Sequence, residues 1–151
     1  MVGTFVGDNM QIWIKAFVFL IVLLVLFSLF TFYISTHPMR IITNLKPSDL
    51  GLRYEEVVLE SDDGIKLSGW FIPNNKTKIT IIVMHGYPAD KANLLGIAEF
   101  LAKEFNVFLF DFRSFGQSEG RYTTGGYLER EDLTEAIDYL EKKKNMRDIE
   151  I

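Results

Sequence analysis

The stretch that decides the fold is residues 79 to 88, which read ITIIVMHGYP. Its first six residues, Ile79 to Met84, show no polar alternation, which is typical of a strand covered on both faces. A helix is predicted next, from Asp90 to Phe105, and a second continuous apolar strand follows from Val107 to Phe110. One face of that helix carries Leu94, Ala98, Leu101 and Phe105. A strand, a helix and a strand in this order predict a right-handed parallel crossover.

The flanking segments predict a hairpin before this unit and a helix after it. Tyr54 to Glu60 and Ile65 to Ile72 are rich in β-branched and aromatic residues, and the turn cluster SDDG at 61 to 64 separates them. These runs predict two antiparallel strands. A second helix is predicted from Tyr127 to Lys144, with acidic residues in its first turns and lysines in its last, as the helix dipole favours. A further strand begins near Glu150.

The amino-terminal region contains a predicted transmembrane helix. Residues 16 to 34 read AFVFLIVLLVLFSLFTFYI without a charge, which is about the length that crosses a hydrocarbon core. A cleaved signal peptide and a buried core helix are the alternatives. The signal peptide is disfavoured because residues 1 to 15 are long for a charged leader and contain Asp8, and no small-residue cleavage site follows. We therefore expect a single-pass membrane protein.

Residues 35 to 52 are interpreted as a connector to a soluble domain at 53 to 151. More basic residues follow the helix than precede it, which favours a cytosolic location for the domain. The absence of cysteine fits a reducing compartment. The domain carries 13 lysines and arginines against 18 aspartates and glutamates, so nucleic acid is not expected as a partner.

A bare hydrolase pattern occurs at residues 116 to 120, GQSEG, with Ser118 in the position of the nucleophile. A nucleophile elbow requires a strand that ends abruptly at the serine and a helix that starts at once. Here the preceding strand ends several residues earlier, and RYTTGG follows Gly120. Both histidines, His37 and His85, precede Ser118, whereas the histidine comes last in elbow-bearing folds. Ser118 is therefore not predicted to be catalytic.

We interpret the segment 111 to 120, DFRSFGQSEG, as a structural turn after a buried strand. Hydroxyl and carboxylate side chains in such a turn satisfy loop amides. Its predicted structural residues are Asp111, Arg113, Gly116 and Ser118. Asp111 and Arg113 are expected to be partners of each other.

The motifs VMHGYP at 83 to 88 and DFRSFGQSEG at 111 to 120, at this spacing, resemble the first half of an α/β-hydrolase. The similarity covers residues 54 to 151 and is strongest to the membrane-anchored, serine-aminopeptidase-like and acylglycerol-lipase-like branch. One departure is Ser114, where the family usually has glycine. The resemblance implies a hydrolase sheet with an antiparallel hairpin followed by parallel strand-helix-strand-helix units.

In that family the loop after the third strand supplies one donor of the oxyanion hole. The resemblance assigns this role to the main-chain N–H of Tyr87, with His85 and Gly86 shaping the loop. The alternative is that His85-Gly86-Tyr87 is an ordinary strand-to-helix loop in which His85 hydrogen-bonds the backbone. No metal or other cofactor is expected.

In the family the nucleophile elbow follows the fifth strand, so the resemblance places the nucleophile, acid and base outside these 151 residues. We expect the amino-terminal part of a membrane-anchored serine hydrolase of ester, thioester or peptide bonds, inactive by itself. A second polypeptide completing the fold, or a truncated or split reading frame, would account for this. The alternatives are a non-catalytic membrane-anchored module and, less well supported, a small protein whose helix is the functional part.

Overall fold

The computed structural model describes residues 2 to 151, with side chains from residue 10 onward except at position 143. The chain divides into two compact units, Met1–Thr36 and His37–Ile151. The first contains one helix, α1, Val2–Thr36. Within it, Met10–Thr36 is long and apolar enough to cross a membrane, and its 27 residues amount to about 40 Å of helix. The helix thus extends beyond the predicted span of 16 to 34 at both ends.

The second unit is built on a five-stranded sheet in the order β1-β2-β4-β3-β5. The strands are β1 Glu55–Glu60, β2 Lys66–Ile72, β3 Ile79–Met84, β4 Asn106–Phe110 and β5 Asp148–Glu150. β2 pairs antiparallel with both β1 and β4, whereas β3 pairs parallel with both β4 and β5. This confirms the predicted hairpin and parallel crossover, and the sheet resembles that of the α/β-hydrolase fold.

Apolar residues cover both faces of the central strands. Every residue of β4, NVFLF, is buried. Phe108 and Phe110 pack towards α3, Glu129–Lys144, in a core that includes Ala136 and Leu140. Val107 and Leu109 face the opposite side and pack with Ala98 of α2, Leu95–Leu101. A strand buried on both faces has no polar alternation, which is why β3 and β4 could be recognised in the sequence.

The predicted helix from Asp90 to Phe105 is shorter than expected. A 3₁₀ turn, Lys91–Leu94, precedes α2, which ends at Leu101. The Asp90 carboxylate accepts a hydrogen bond from the Asn93 main-chain N–H, and the Asn93 side chain accepts one from the Asp90 N–H. This reciprocal cap favours the tight first turn. The predicted apolar face is nevertheless present, since Leu94, Ala98 and Leu101 pack in one cluster.

The segment between α1 and the sheet packs against the rest of the second unit. A 3₁₀ turn, Pro47–Leu50, contains the buried Pro47. Leu52 and Tyr54 pack against the cluster that holds Ala98 of α2. Residues 37 to 52 therefore belong to the body of this unit rather than to an unattached linker.

Candidate functional site

The two sequence motifs meet at one edge of the sheet. β3 and β4 are parallel neighbours, with Met84 opposite Phe110 at their carboxyl ends. The loop 85 to 90 leaves β3 there, and the turn 111 to 120 leaves β4 there. In open α/β sheets, ligands bind in the crevice outside the carboxyl ends of the strands. We call this region the carboxyl edge.

His85 joins the two motifs at this edge. Its ring is buried, and its Nε2 accepts a hydrogen bond of 3.1 Å from the main-chain N–H of Phe112. The other ring nitrogen, Nδ1, lies 2.9 Å from the Gly86 carbonyl oxygen, which requires a proton on Nδ1. The rings of Phe112 and Phe115 contact the imidazole edge-on. Backbone groups occupy both ring nitrogens, so His85 connects the loop after β3 to the turn after β4 and is not placed as a base.

Tyr87 projects from the same loop into solvent. Its side chain is 57% exposed and contacts Phe115 edge-on, with ring centroids 5.7 Å apart. Among the backbone and side-chain atoms that the structure describes, its main-chain N–H donates to no acceptor. At Gly86, an added Cβ would meet no atom of the described chain within 4 Å. The loop thus presents an unpaired main-chain donor at the carboxyl edge.

Ser118 lies in the interior of the turn. It is fully buried, its Oγ donates to the Asp111 carbonyl oxygen at 2.5 Å, and it accepts from the Ser68 main-chain N–H at 2.9 Å. The hydroxyl therefore links β2 to the end of β4. A nucleophile must be accessible and hydrogen-bonded to a base, and Ser118 Oγ has neither property here.

The expected pairing of Asp111 with Arg113 is wrong. Asp111 is buried and instead pairs with Lys91, whose Nζ lies 2.6 Å from Oδ2. The same carboxylate accepts from the main-chain N–H groups of Lys91 and Gln117. Lys91 is buried as well, and its Nζ also donates to Ser68 Oγ and Gln117 Oε1. Asp111 is thus held by the 3₁₀ turn that precedes α2, whereas the partners of Arg113 lie on other elements.

Arg113 is held by two acidic residues on other elements. Its guanidinium donates to the buried carboxylate of Asp132 in α3 and to Asp63 in the β1–β2 turn. Burial lowers the pKa of Arg113, but the hydrogen bonds to Asp132 and Asp63 outweigh this effect and raise it above its usual range. The pKa of Asp63 is lowered by hydrogen bonds from Ser61 and Arg113. Arg113 thus ties the turn to the hairpin and to α3.

The turn requires left-handed backbone at two of its positions. Gly116 has φ +48°, and a Cβ there would overlap the Asp111 carboxylate. Ser114 has φ +69° although it is not glycine. Its Oγ donates to the Tyr122 carbonyl oxygen at 2.7 Å, which offsets part of the cost of this conformation. A positive φ angle favours glycine, the residue that the sequence resemblance led us to expect at this position.

A further buried carboxylate, which sequence reasoning missed, lies at the start of α3. Glu129 accepts from the hydroxyls of Thr123 and Thr124 and from the main-chain N–H groups of Thr124 and Gly126. Burial raises the pKa of Glu129, but the hydrogen bonds lower it by a larger amount, and the resulting pKa is about 2. Glu129 is the first residue of α3, and its carboxylate reaches back three residues to the Gly126 N–H.

Lys91 and Asp132 were also missed as site-forming residues. Nothing in the local sequence distinguishes Lys91 from an exposed lysine. Asp132 was interpreted only as one of the acidic residues that the helix dipole favours. In the part of the chain that the structure describes, no group of three or more metal-ligating side chains is close enough to hold an ion.

The solved structures that this chain resembles are α/β hydrolases. The esterase Pf2001 of Pyrococcus furiosus is 37% identical with a TM-score of 0.69, over 74% of this chain and 44% of that one. A serine hydrolase of Xanthomonas campestris, 20% identical with a TM-score of 0.54, shares the fold. No family model matches the chain. The fold and the carboxyl edge therefore define a hydrolase-like α/β module.

Curated proteins that this chain is similar to include one whose name states an α/β hydrolase domain. The uncharacterized protein YqkD of Bacillus subtilis is 34% identical over 91 residues, which is 60% of this chain and 30% of the relative. The α/β hydrolase domain-containing protein WAV2 of Arabidopsis thaliana is 31% identical over 101 residues, 64% and 32% of the two chains. An uncharacterized membrane protein of Saccharomyces cerevisiae is 29% identical over 76 residues, 49% and 27% of the two chains. This chain spans about a third of the length of these relatives.

Proposed function

We propose that the chain is the amino-terminal part of a membrane-anchored serine hydrolase that acts on ester, thioester or peptide bonds. The nucleophile, acid and base come from polypeptide outside these 151 residues, either continuous with the chain or separate from it. The observation that carries the proposal is the Tyr87 loop, which presents an unpaired main-chain N–H at the carboxyl edge of a hydrolase-like sheet. A donor held in place there stabilises the oxyanion with little reorganisation.

The anchor in this proposal is α1, which is long and apolar enough to span a membrane. The similarity to a yeast membrane protein supports this assignment. The excess of basic residues after the helix favours a cytosolic location for the sheet unit. The proposed branch is the one that the sequence motifs resemble, the serine-aminopeptidase-like and acylglycerol-lipase-like hydrolases.

The first test asks whether this chain has a nucleophile of its own. The purified 151-residue protein is treated with a fluorophosphonate probe, with an active esterase as the positive control. We expect no labelling of the chain, because Ser118 is buried and bonded to backbone groups. Labelling that disappears in Ser118→Ala would overturn the proposed division of the active site.

The second test examines Tyr87 in a completed enzyme, obtained from coding sequence downstream that supplies a strand, a G-x-S-x-G elbow and a helix. Tyr87→Pro removes the N–H and should lower kcat about 10²- to 10³-fold, the usual effect of losing one oxyanion donor. Tyr87→Phe keeps the N–H and should retain activity. Equal activity of the two variants, with equal melting temperatures, would refute the role of Tyr87.

A second candidate is a non-catalytic membrane-anchored module. It is favoured by the closed polar network of the sheet unit: among the described side chains, no buried nitrogen or oxygen atom lacks a hydrogen-bond partner. Such a module should melt cooperatively without additional polypeptide, and no completed form should label with fluorophosphonate.

A further inference from the structure

The segment 37 to 45, which we call the strap, lies across the carboxyl edge. The Arg40 guanidinium donates to the carbonyl oxygens of Gly116, Ser118 and Gly120 in the turn after β4. Further along the strap, the Thr43 main-chain N–H donates to the carboxylate of Asp90, in the loop after β3. These contacts attach the strap to both loops that form the candidate site.

The strap turns four large apolar side chains outward, beside polar ones. Met39 is 84% exposed, Ile42 53%, and Ile41 and Leu45 42% each. We call these four side chains, which lie within seven positions, the apolar patch; their exposure to water is unfavourable. The patch needs a partner of apolar character.

The short length of chain between α1 and the strap indicates that this partner is the bilayer. Thr36 is the last residue of the helix that is able to cross a membrane. Met39 is three residues further and Ile42 six, so at most about 11 Å and 22 Å of extended chain separate them from the helix end. The headgroup region on each side of the hydrocarbon core is about 5 to 8 Å thick. The strap's apolar side chains can therefore reach the boundary of the same bilayer that holds the helix.

We propose that the strap is a membrane-binding surface whose side chains Met39, Ile41, Ile42 and Leu45 insert into the bilayer interface. The carboxyl edge, with the Tyr87 loop, is thereby held at the lipid surface. Resting on the hydrolase and anchor proposed above, this makes the substrate an apolar acyl compound that partitions into the bilayer and reaches the site from it. A water-soluble substrate would gain nothing from this arrangement.

The absence of cysteine permits a direct test on the full chain. Met39→Cys and Ile42→Cys are each labelled with an environment-sensitive NBD fluorophore and reconstituted in phosphatidylcholine vesicles. Lys76→Cys is the matched control, because Lys76 is exposed and precedes β3, at the opposite edge of the sheet. All three positions are exposed, and melting temperatures verify that the variants are folded.

We expect blue-shifted emission at positions 39 and 42, and at least twofold quenching by nitroxide lipids labelled near the headgroup. Position 76 should be quenched only by aqueous iodide. Ile42 decides the test, since Met39 is close to the helix end in any case. A label at 42 that behaves like the label at 76 would overturn the proposal, and so would one shielded from both quenchers, which would mean that polypeptide covers the strap.

This readout requires no catalysis. Lipid quenching at position 42, without fluorophosphonate labelling of any completed enzyme, would support the membrane-binding surface and refute the proposed hydrolase. The opposite result, a labelled enzyme with a water-exposed strap, would support the proposed hydrolase and refute the proposal that its substrate arrives from the membrane.

Discussion

At the scale of single residues, the most consequential group is the buried pair of Lys91 and Asp111. Removing one partner of a buried ion pair leaves an uncompensated charge, which typically destabilises a protein by about 3 to 5 kcal/mol. We expect Asp111→Ala to have an effect of this size. The free energy of unfolding is measured by chemical denaturation of the full chain in mild detergent.

The matched control for this prediction is the double variant. Lys91→Met keeps the apolar stem and removes the charge, so Asp111→Ala/Lys91→Met should be more stable than Asp111→Ala alone. If the double variant loses as much free energy of unfolding, relative to the wild type, as the two single variants lose together, the two charges are not coupled.

Glu129 predicts a dependence of stability on pH. Its pKa is about 2 in the folded protein and 4.5 as an ordinary value. A depressed folded pKa stabilises the protein above pH 4.5, by about 3 kcal/mol, and this contribution is lost as the pH falls from 4.5 towards 2. The advantage of the wild type over Glu129→Gln should therefore shrink across that range. A constant difference between the two proteins from pH 7 to pH 2.5 would contradict the hydrogen-bond network around Glu129.

At the scale of elements, the strap is predicted to order the turn after β4. Arg40→Ala removes hydrogen bonds from a charged donor to three carbonyl oxygens, each worth about 1.5 to 3 kcal/mol at most. We expect faster amide hydrogen exchange at Gln117 and Ser118 and a lower melting temperature. Arg40→Lys should give an intermediate result, because an ammonium lacks the guanidinium fork.

Arg53→Ala is the control for Arg40, since Arg53 is exposed and has no hydrogen bond or ion pair in the described structure. It should leave exchange in the turn unchanged. Unchanged exchange in Arg40→Ala as well would mean that the turn is ordered without the strap.

The elements also show what sequence patterns can predict. β3 and β4 were recognisable because strands buried on both faces are continuously apolar. The 3₁₀ turn at Lys91–Leu94 was not, because apolar spacing does not separate it from the α2 that follows. The burial of Lys91 was not predictable either, since lysine is almost never fully buried unless it is paired, and its partner Asp111 lies 20 residues away. Likewise, nothing near Arg40 indicates a turn 76 to 80 residues later.

At the scale of the whole molecule, the compact unit that contains the sheet begins at residue 37, whereas the sequence analysis placed a connector at residues 35 to 52. The sequence placed the boundary later because residues 35 to 52 have the mixed composition of a linker. Composition reports solvent exposure, and the strap is indeed exposed. The strap is attached through Arg40 and Thr43, and the buried Pro47 follows it. These are single contacts without a repeating pattern in the sequence.

This boundary can be tested with two truncated proteins, residues 37 to 151 and residues 53 to 151, compared in the same mild detergent. Both lack α1, so the membrane helix is not a variable. The longer protein keeps the Arg40 and Thr43 hydrogen bonds and the buried Pro47, and it should be more stable by about 2 to 5 kcal/mol. Thermal melting followed by circular dichroism measures the difference. Identical transitions would mean that the strap does not stabilise the sheet unit. The segment that joins the sheet unit to α1 would then not contribute to the order of the carboxyl edge.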